Sequence, residues 1–289
     1  MGILLGLLTA LTWGGSDFLA RFATERMGTV RTLLYMQLIG FILLTIALPW
    51  LGGWGHLADG SGWRPWAWGV LAGCVNAVST LGLYRSFEIG KMAVVAPLSA
   101  CYPVLTVTLS LFSGERLSAA RATGIVCTML GVLLVARGEK PPNANDAEAM
   151  RRSGKGIGWA LASAFGFGLL FWLLGLRVIP RVGAPQTVWM IRMTCTLIAG
   201  AAILVARQPF KLPRNTRVIS LGMGFGDTSA FVLSNRAMQL EQVAVVSVLG
   251  SLYGAVTVAL AAIVLREHVS RWQWAGIASI FSGIYLMSR

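Results

Sequence analysis

The stretch AVVAPLSACYPVLTVTLSLFSG, residues 93–114, returns 151 positions later as AVVSVLGSLYGAVTVALAAIVL, residues 244–265. Eight of the 22 aligned positions are identical, among them Tyr102 with Tyr253 and Thr106-Val107 with Thr257-Val258. Apolar helices share Leu, Val and Ala by chance, but an ordered tyrosine and threonine are harder to explain that way. One further residue of shift aligns Glu115 with Glu267, Ser118 with Ser270, Gly124 with Gly276 and Gly131 with Gly283. The chain reads as two homologous halves, 1–137 and 156–289, joined by a central loop at 138–155.

Working outward, ten apolar segments can be marked at 2–20, 32–50, 66–87, 92–112, 119–136, 156–176, 185–206, 218–235, 242–265 and 272–288, each bounded by charge, Pro or Gly clusters. They are too long for barrel strands, and in lipid only helices or closed barrels satisfy their own backbone. Composition agrees: 56% of the 289 residues are hydrophobic and 12% charged, against about 25% charged in soluble domains. A soluble exterior could not be covered from so few polar residues. Five segments per half is an odd number, so consecutive halves enter the membrane from opposite sides. The expected fold is an all-α membrane protein of ten transmembrane helices, arranged as two inverted five-helix repeats around a central cavity. Such repeats offer two near-equivalent conformations around a midplane site, the architecture of a secondary transporter.

The net charge of +13 would suggest nucleic acid in a soluble chain. Here the bases fall in short strings between apolar runs, such as Arg151, Arg152 and Lys155, as membrane flanks do. Nucleic acid is therefore not an expected partner. Cys74, Cys101, Cys127 and Cys195 lie in apolar runs at unrelated spacings and read as small buried hydrophobes, with no metal pattern. Residues 1–20 open on an apolar run with no basic region, so a cleaved signal peptide is not expected. HExxH, P-loop and GxSxG patterns are absent from the sequence, and the reading is of a non-enzyme without cofactors.

Several short motifs follow one another in the first half: Trp13-Gly14 then Phe18, Tyr84, Ala96-Pro97-Leu98, Tyr102-Pro103-Val104, Glu115-Arg116-Leu117-Ser118, Gly124 and Gly131-Val132. Glu267, Ser270, Gly276 and Gly283 repeat the last part in the second half. In this pattern the chain resembles the EamA family of the drug/metabolite transporter superfamily over nearly its whole length. The resemblance implies ten helices around a central cavity and movement of small metabolites, often amino acids, usually as export. It also implies a bacterial inner-membrane location. Departures are Phe167-Gly168 for Trp13-Gly14, Val248 for Pro97 and Gly254 for Pro103. The related small multidrug resistance proteins carry a proton-coupling glutamate in the first helix, about where this chain has Trp13. Proton coupling stays open.

Few residues inside the apolar runs could carry chemistry. Only Asp17 and Asp227 are acids well within segments, where a charge costs about 2.5–3.5 kcal/mol on insertion scales and so faces a cavity or a partner. Asp17 has Arg21 one turn on, an alternative partner near the membrane surface. Asp227 aligns with Asn76, which places a polar group at the same point of both halves. Arg192 aligns with Gln37; its guanidinium would pair with an acid, bind a substrate carboxylate, or snorkel. Trp13 and Phe167 occupy matching positions and, with Tyr102 and Tyr253, are cavity candidates; the other deep aromatics, Phe171 included, read as packing. Pro97 and Pro103 would kink the fourth segment and act as a hinge. Gly124, Gly131, Gly276 and Gly283 form small-residue packing faces, with a dimer surface as one use.

The expected function is secondary transport, by export, of small amphipathic metabolites such as amino acids, across a site built from the first, third, fourth, sixth, eighth and ninth segments. The alternative is a transporter or flippase of cationic drugs or lipid-linked substrates. An arginine pointing into the cavity would favour carboxylates, and two acids with the arginine elsewhere would favour cations. A membrane-embedded enzyme or receptor is the rival outside transport. Expected partners are the bilayer and a small-molecule substrate, in a monomer or homodimer. Sixteen Lys and Arg lie near loops on the side opposite residue 1 and seven on its own side. Positive-inside logic would put both termini outside, whereas the family resemblance suggests cytoplasmic termini.

Overall fold

In the computed structural model, which describes residues 1–90, 92–136, 147–265 and 271–287, the element order of one half returns in the other. The first half runs α1 (Gly2–Met27), α2 (Thr29–Ala47), α3 (Arg64–Ile89), α4 (Met92–Ser99), α5 (Pro103–Phe112) and α6 (Ala119–Ala136). The second runs α7 (Ala147–Leu173), continued by a π-helical turn at Leu174–Val178 into α8 (Ile179–Val182). Then come α9 (Ala184–Val205), α10 (Arg217–Leu240), α11 (Val243–Ser251), α12 (Tyr253–Leu265) and α13 (Arg271–Met287). No strand occurs among the described residues. α7 begins inside the stretch expected to be loop.

Local chemistry sets the breaks. Gly28 (φ 81°) and Gly183 (φ 97°) join α1 to α2 and α8 to α9 in a single left-handed step, a conformation that a Cβ would strain. The segment expected at 92–112 is two helices. The turn between them tightens to i→i−3 bonds, Cys101 N–H to the Leu98 carbonyl at 3.2 Å and Tyr102 N–H to the Ser99 carbonyl at 3.3 Å. Pro103, with no N–H to give, opens α5. The segment expected at 242–265 breaks at the same point, with Leu252 N–H on the Leu249 carbonyl at 3.2 Å. Gly254 stands there in place of Pro103, so the break belongs to the repeat rather than to proline. The side chain of Pro97, the other expected hinge, lies outside the described residues, as do Glu267 and Ser270.

Five helical stretches among the described residues are long and apolar enough to cross a membrane: α1, α2, α3, Lys155–Val182 and α9. α5, α6 and the stretches Val243–Thr257 and Trp274–Met287 provide shorter apolar helices. α10 has the length, but it buries Asp227, Thr228, Ser234 and Asn235, polar groups that lower its apolarity. The cysteines do not behave alike: Cys195 is buried, but Cys74 is exposed on the apolar outside of α3. Trp50, Trp54, Trp63 and Trp66, near the end of α2 and the start of α3, are all exposed, and Trp54 and Trp66 also set their rings edge-on to Trp189 at 5.2 and 6.3 Å.

The halves meet in reciprocal pairs. α1 packs on α10 as α7 packs on α3, while α2 meets its own equivalent α9 and α6 meets α13. Hydrogen bonds repeat across this exchange: Thr106 Oγ1 donates to the Gly168 carbonyl at 2.9 Å, and Thr257 Oγ1 to the Gly14 carbonyl at 3.2 Å. Missing side chains make these approaches possible. A Cβ on Gly14 would strike Val256, one on Gly168 would strike Leu105, one on Gly73 Thr194, and one on Gly224 Ile39. Along α6 and α13, Gly124 lies on Gly283 and Gly131 on Gly276, so these equivalent helices run antiparallel. The expected glycine faces thus pack within one chain rather than on a dimer surface. Between helices in lipid, such close backbone approach supplies the van der Waals contact that drives association.

A side chain at this crossing has no room. At Gly131 a Cβ would sit 2.7 Å from the Gly276 carbonyl oxygen and 2.7 Å from Ile280 Cγ1. Gly131→Val should therefore cost about 1–3 kcal/mol and lower the unfolding midpoint of detergent-purified protein. Gly200→Ala, where a Cβ meets nothing within 4 Å, should instead gain about 0.5–1 kcal/mol. Equal melting of the two variants would contradict the packing.

Candidate functional site

Where the halves meet, four helices each turn a pair of residues four apart toward one point. The pairs are Trp13 and Asp17 from α1, Thr80 and Tyr84 from α3, Phe167 and Phe171 from α7, and Asp227 and Phe231 from α10. A spacing of four puts both members on one helix face. Leu83, Tyr102 from the α4–α5 break and Tyr253 at the start of α12 complete the wall. The cavity they enclose measures about 30 Å³, room for one or two waters.

The wall is an aromatic cage. Trp13 meets Phe231 edge-on at 5.1 Å, Phe171 at 5.6 Å and Tyr253 at 6.5 Å. Phe171 stacks on Tyr102 at 4.9 Å and on Phe231 at 6.1 Å. Such contacts lock ring orientations. Tyr102 is fixed further, its hydroxyl donating to the Ser247 carbonyl at 2.9 Å. Tyr253 Oη is buried and has no hydrogen-bond partner.

Charge is arranged unequally around this cage. Arg192 is fully buried behind the wall, with Nη2 2.5 Å from Asp227 Oδ2 and Nη1 donating to Gln37 Oε1 at 2.7 Å. Its Cζ lies 5.1 Å from the centre of the Phe231 ring, a cation–π contact. α2 comes close enough to allow this because position 40 is glycine; a Cβ there would strike Thr228 and the Arg192 side chain. Gln37 and Arg192 occupy matching positions of the two halves. Matched positions of the two halves thus touch each other here. Ser279 and Cys127, also equivalent, do the same between α13 and α6, with a 2.7 Å bond from hydroxyl to carbonyl.

Of the residues singled out in the sequence, Trp13, Asp17, Tyr102, Phe167, Asp227 and Tyr253 come together on the wall. Asn76 and Arg192 do not line it. Asn76 is buried toward α9, its Nδ2 3.4 Å from Cys195 Sγ. The Asp17–Arg21 pair does not form, because Arg21 Nε bonds Glu25 at 3.1 Å. Phe171, read as packing, is in the wall, and Thr80, Leu83, Tyr84 and Phe231 were passed over as cavity residues. The missed signal was periodic: Phe171 and Phe231 each follow a singled-out residue by one turn.

Near residue 1, Glu115 accepts the N–H groups of Val243 at 2.8 Å and Ala244 at 3.2 Å, capping α11. Arg121 beside it reaches Glu241 and Gln242 at 2.7 and 2.8 Å. At the opposite end an open surface groove of about 540 Å³ lies among Arg31, Arg85, Glu88, Trp159 and Gln208, and it shares no lining residue with the cage.

Comparison with known proteins places this geometry. The model of the EamA-like transporter family matches twice, over residues 1–137 and 154–289. An uncharacterised protein of Methanocaldococcus jannaschii is 29% identical over 134 residues, 46% of this chain and 94% of its own length. That relative is thus about as long as one repeat. A crystal structure of another protein superposes with a TM-score of 0.77 over 99% of this chain and 95% of its own, at 19% identity, a likeness of fold.

The buried ion pair can be tested directly. Asp227→Asn leaves a buried guanidinium uncompensated and should destabilise the protein by about 3–5 kcal/mol. Arg192→Met should cost less, since Asp227 borders the cavity. The double variant should lose less than the sum of the two, by 1 kcal/mol or more in a double-mutant cycle. Additive losses in denaturant unfolding would mean the pair is not energetically coupled.

Proposed function

The chain belongs to the EamA-like transporter family and is a multi-pass integral membrane protein; from that premise we propose that it is a secondary transporter of small amphipathic solutes. In this reading ten membrane-crossing segments form two inverted five-segment repeats, which rock around the aromatic cage in the bacterial inner membrane. The observation that carries the reading is the origin of the wall. Trp13 with Phe167, Asp17 with Phe171, Thr80 with Phe231 and Tyr102 with Tyr253 are matched positions of the two halves. A solute held there touches both moving parts, and it drives the switch only through different affinities for the two states.

Further features support it. The equivalent helices α6 and α13 run antiparallel, as inverted repeats require. At one end Glu115 and Arg121 tie the two halves together, as a stage of alternating access closed at that end requires. The 30 Å³ between the rings is far below the ~300–1,000 Å³ of a small-molecule pocket. This is then a contracted state, and the rings must part to admit a solute. Export of the solute is the direction we assign, and Asp17 is the group able to take up a coupling proton.

Purified protein in liposomes should exchange a labelled solute against excess unlabelled solute, without ATP, when a panel of small amphipathic metabolites is tried. Phe171→Ala should slow that exchange at least tenfold, because the ring bridges Tyr102, Phe231 and Trp13. Absence of counterflow across the whole panel would overturn the proposal.

A further inference from the structure

We propose that the cage selects an organic monocation, an amine or quaternary ammonium with an aromatic or alkyl body, with Asp17 as its counter-charge. The inference rests on the transport reading above and narrows it to one charge class.

The first argument is the sum of charges at the wall. Two carboxylates border the cavity, Asp17 and Asp227. The guanidinium of Arg192 stands behind them, wholly buried and already engaged by Asp227 and Gln37. Asp227 is thereby neutralised. Asp17 is not: among the described residues it has no ion pair or hydrogen bond, and Arg21, its neighbour one turn away, is held by Glu25. One uncompensated carboxylate thus faces an apolar cage, where an isolated charge is costly and a positive ligand relieves it.

The second argument is the chemistry of the walls. Ring faces attract cations through their quadrupole. In this structure one ring already does so from outside the cage, Phe231 beneath Arg192 at 5.1 Å. Trp13, Phe171 and Tyr102 offer further ring surface on the inside. The unpartnered Tyr253 Oη adds a neutral oxygen able to accept an ammonium N–H.

The third argument is exclusion. A carboxylate-bearing solute needs a free cationic fork, and the guanidinium here is spent. A zwitterionic amino acid could offer its ammonium to Asp17, but its carboxylate would then be buried among aromatic rings with no free cation to receive it, because Arg192 is already engaged by Asp227 and Gln37.

Three solutes that share one ring separate the possibilities: phenethylammonium (+1), phenylalanine (zwitterion) and 3-phenylpropionate (−1). Radiolabelled phenethylammonium should bind the purified full-length protein in detergent at pH 7. Phenylalanine should displace it at least tenfold less well than unlabelled phenethylammonium, and 3-phenylpropionate should not displace it at a hundredfold excess. Asp17→Asn, checked for folding by size exclusion, should weaken binding tenfold or more. If that variant does not fold, the competition series on the unmodified protein decides alone. Tighter binding of phenylalanine or phenylpropionate, no binding of the three, or unchanged affinity in folded Asp17→Asn would overturn the inference. The broader transport reading is judged separately, by counterflow of any solute in the panel.

Discussion

The buried guanidinium of Arg192 is the constraint on which the rest of the site depends. A full charge at this depth is tolerated only with a counter-charge and hydrogen-bond acceptors close by. Those come from two other helices, Asp227 on α10 and Gln37 on α2. The contact therefore fixes three helices from both halves in one register, with Gly40 leaving the space for it. Because Gln37 and Arg192 are matched positions, the contact also joins equivalent points of the two halves. It also holds the charge of Arg192 against Asp227 and off the cavity wall.

Around that contact, similar halves build a dissimilar site. The repeat supplies matched rings, Trp13 with Phe167 and Tyr102 with Tyr253. The acids come from unmatched positions: Asp17 corresponds to Phe171, and Asp227 to Asn76. Backbone contacts keep the symmetry because they are made by glycines and threonines common to both halves, as in the bonds from Thr106 to Gly168 and Thr257 to Gly14. Side chains are free to diverge where they meet only the cavity. Packing preserves the scaffold and the cavity wall carries the difference.

This division explains what could be read from the chain alone. The repeat, the helical membrane-type architecture and the candidates Asp17 and Asp227 were visible because charge, Tyr and Gly stand out against an apolar background. The aromatic wall was visible only in part. Phe171 and Phe231 look like ordinary packing in sequence, and only their spacing of four from Phe167 and Asp227 marks them. The place of Arg192 depended on a contact 155 residues away in the chain, which no local pattern encodes. Glu115 stands out in the sequence as a repeated motif residue, but its task, capping α11 across the molecule, requires knowing which helix start lies opposite.

Asn76 shows how an exact correspondence between halves can mislead. It matches Asp227, yet α3 presents Thr80 and Tyr84 to the cavity, whereas α10 presents Asp227 and Phe231. In matched numbering α3 is engaged one turn further along than α10, about 5.4 Å of helix. Asn76 is left behind the wall against Cys195. Two identical halves in identical conformations would place their equivalents alike. A one-turn offset means that the third element of each half sits differently relative to the cage. Under the proposed mechanism the second conformation would exchange these roles. The offset in α3 and α10 is then the displacement that carries a solute from one side to the other.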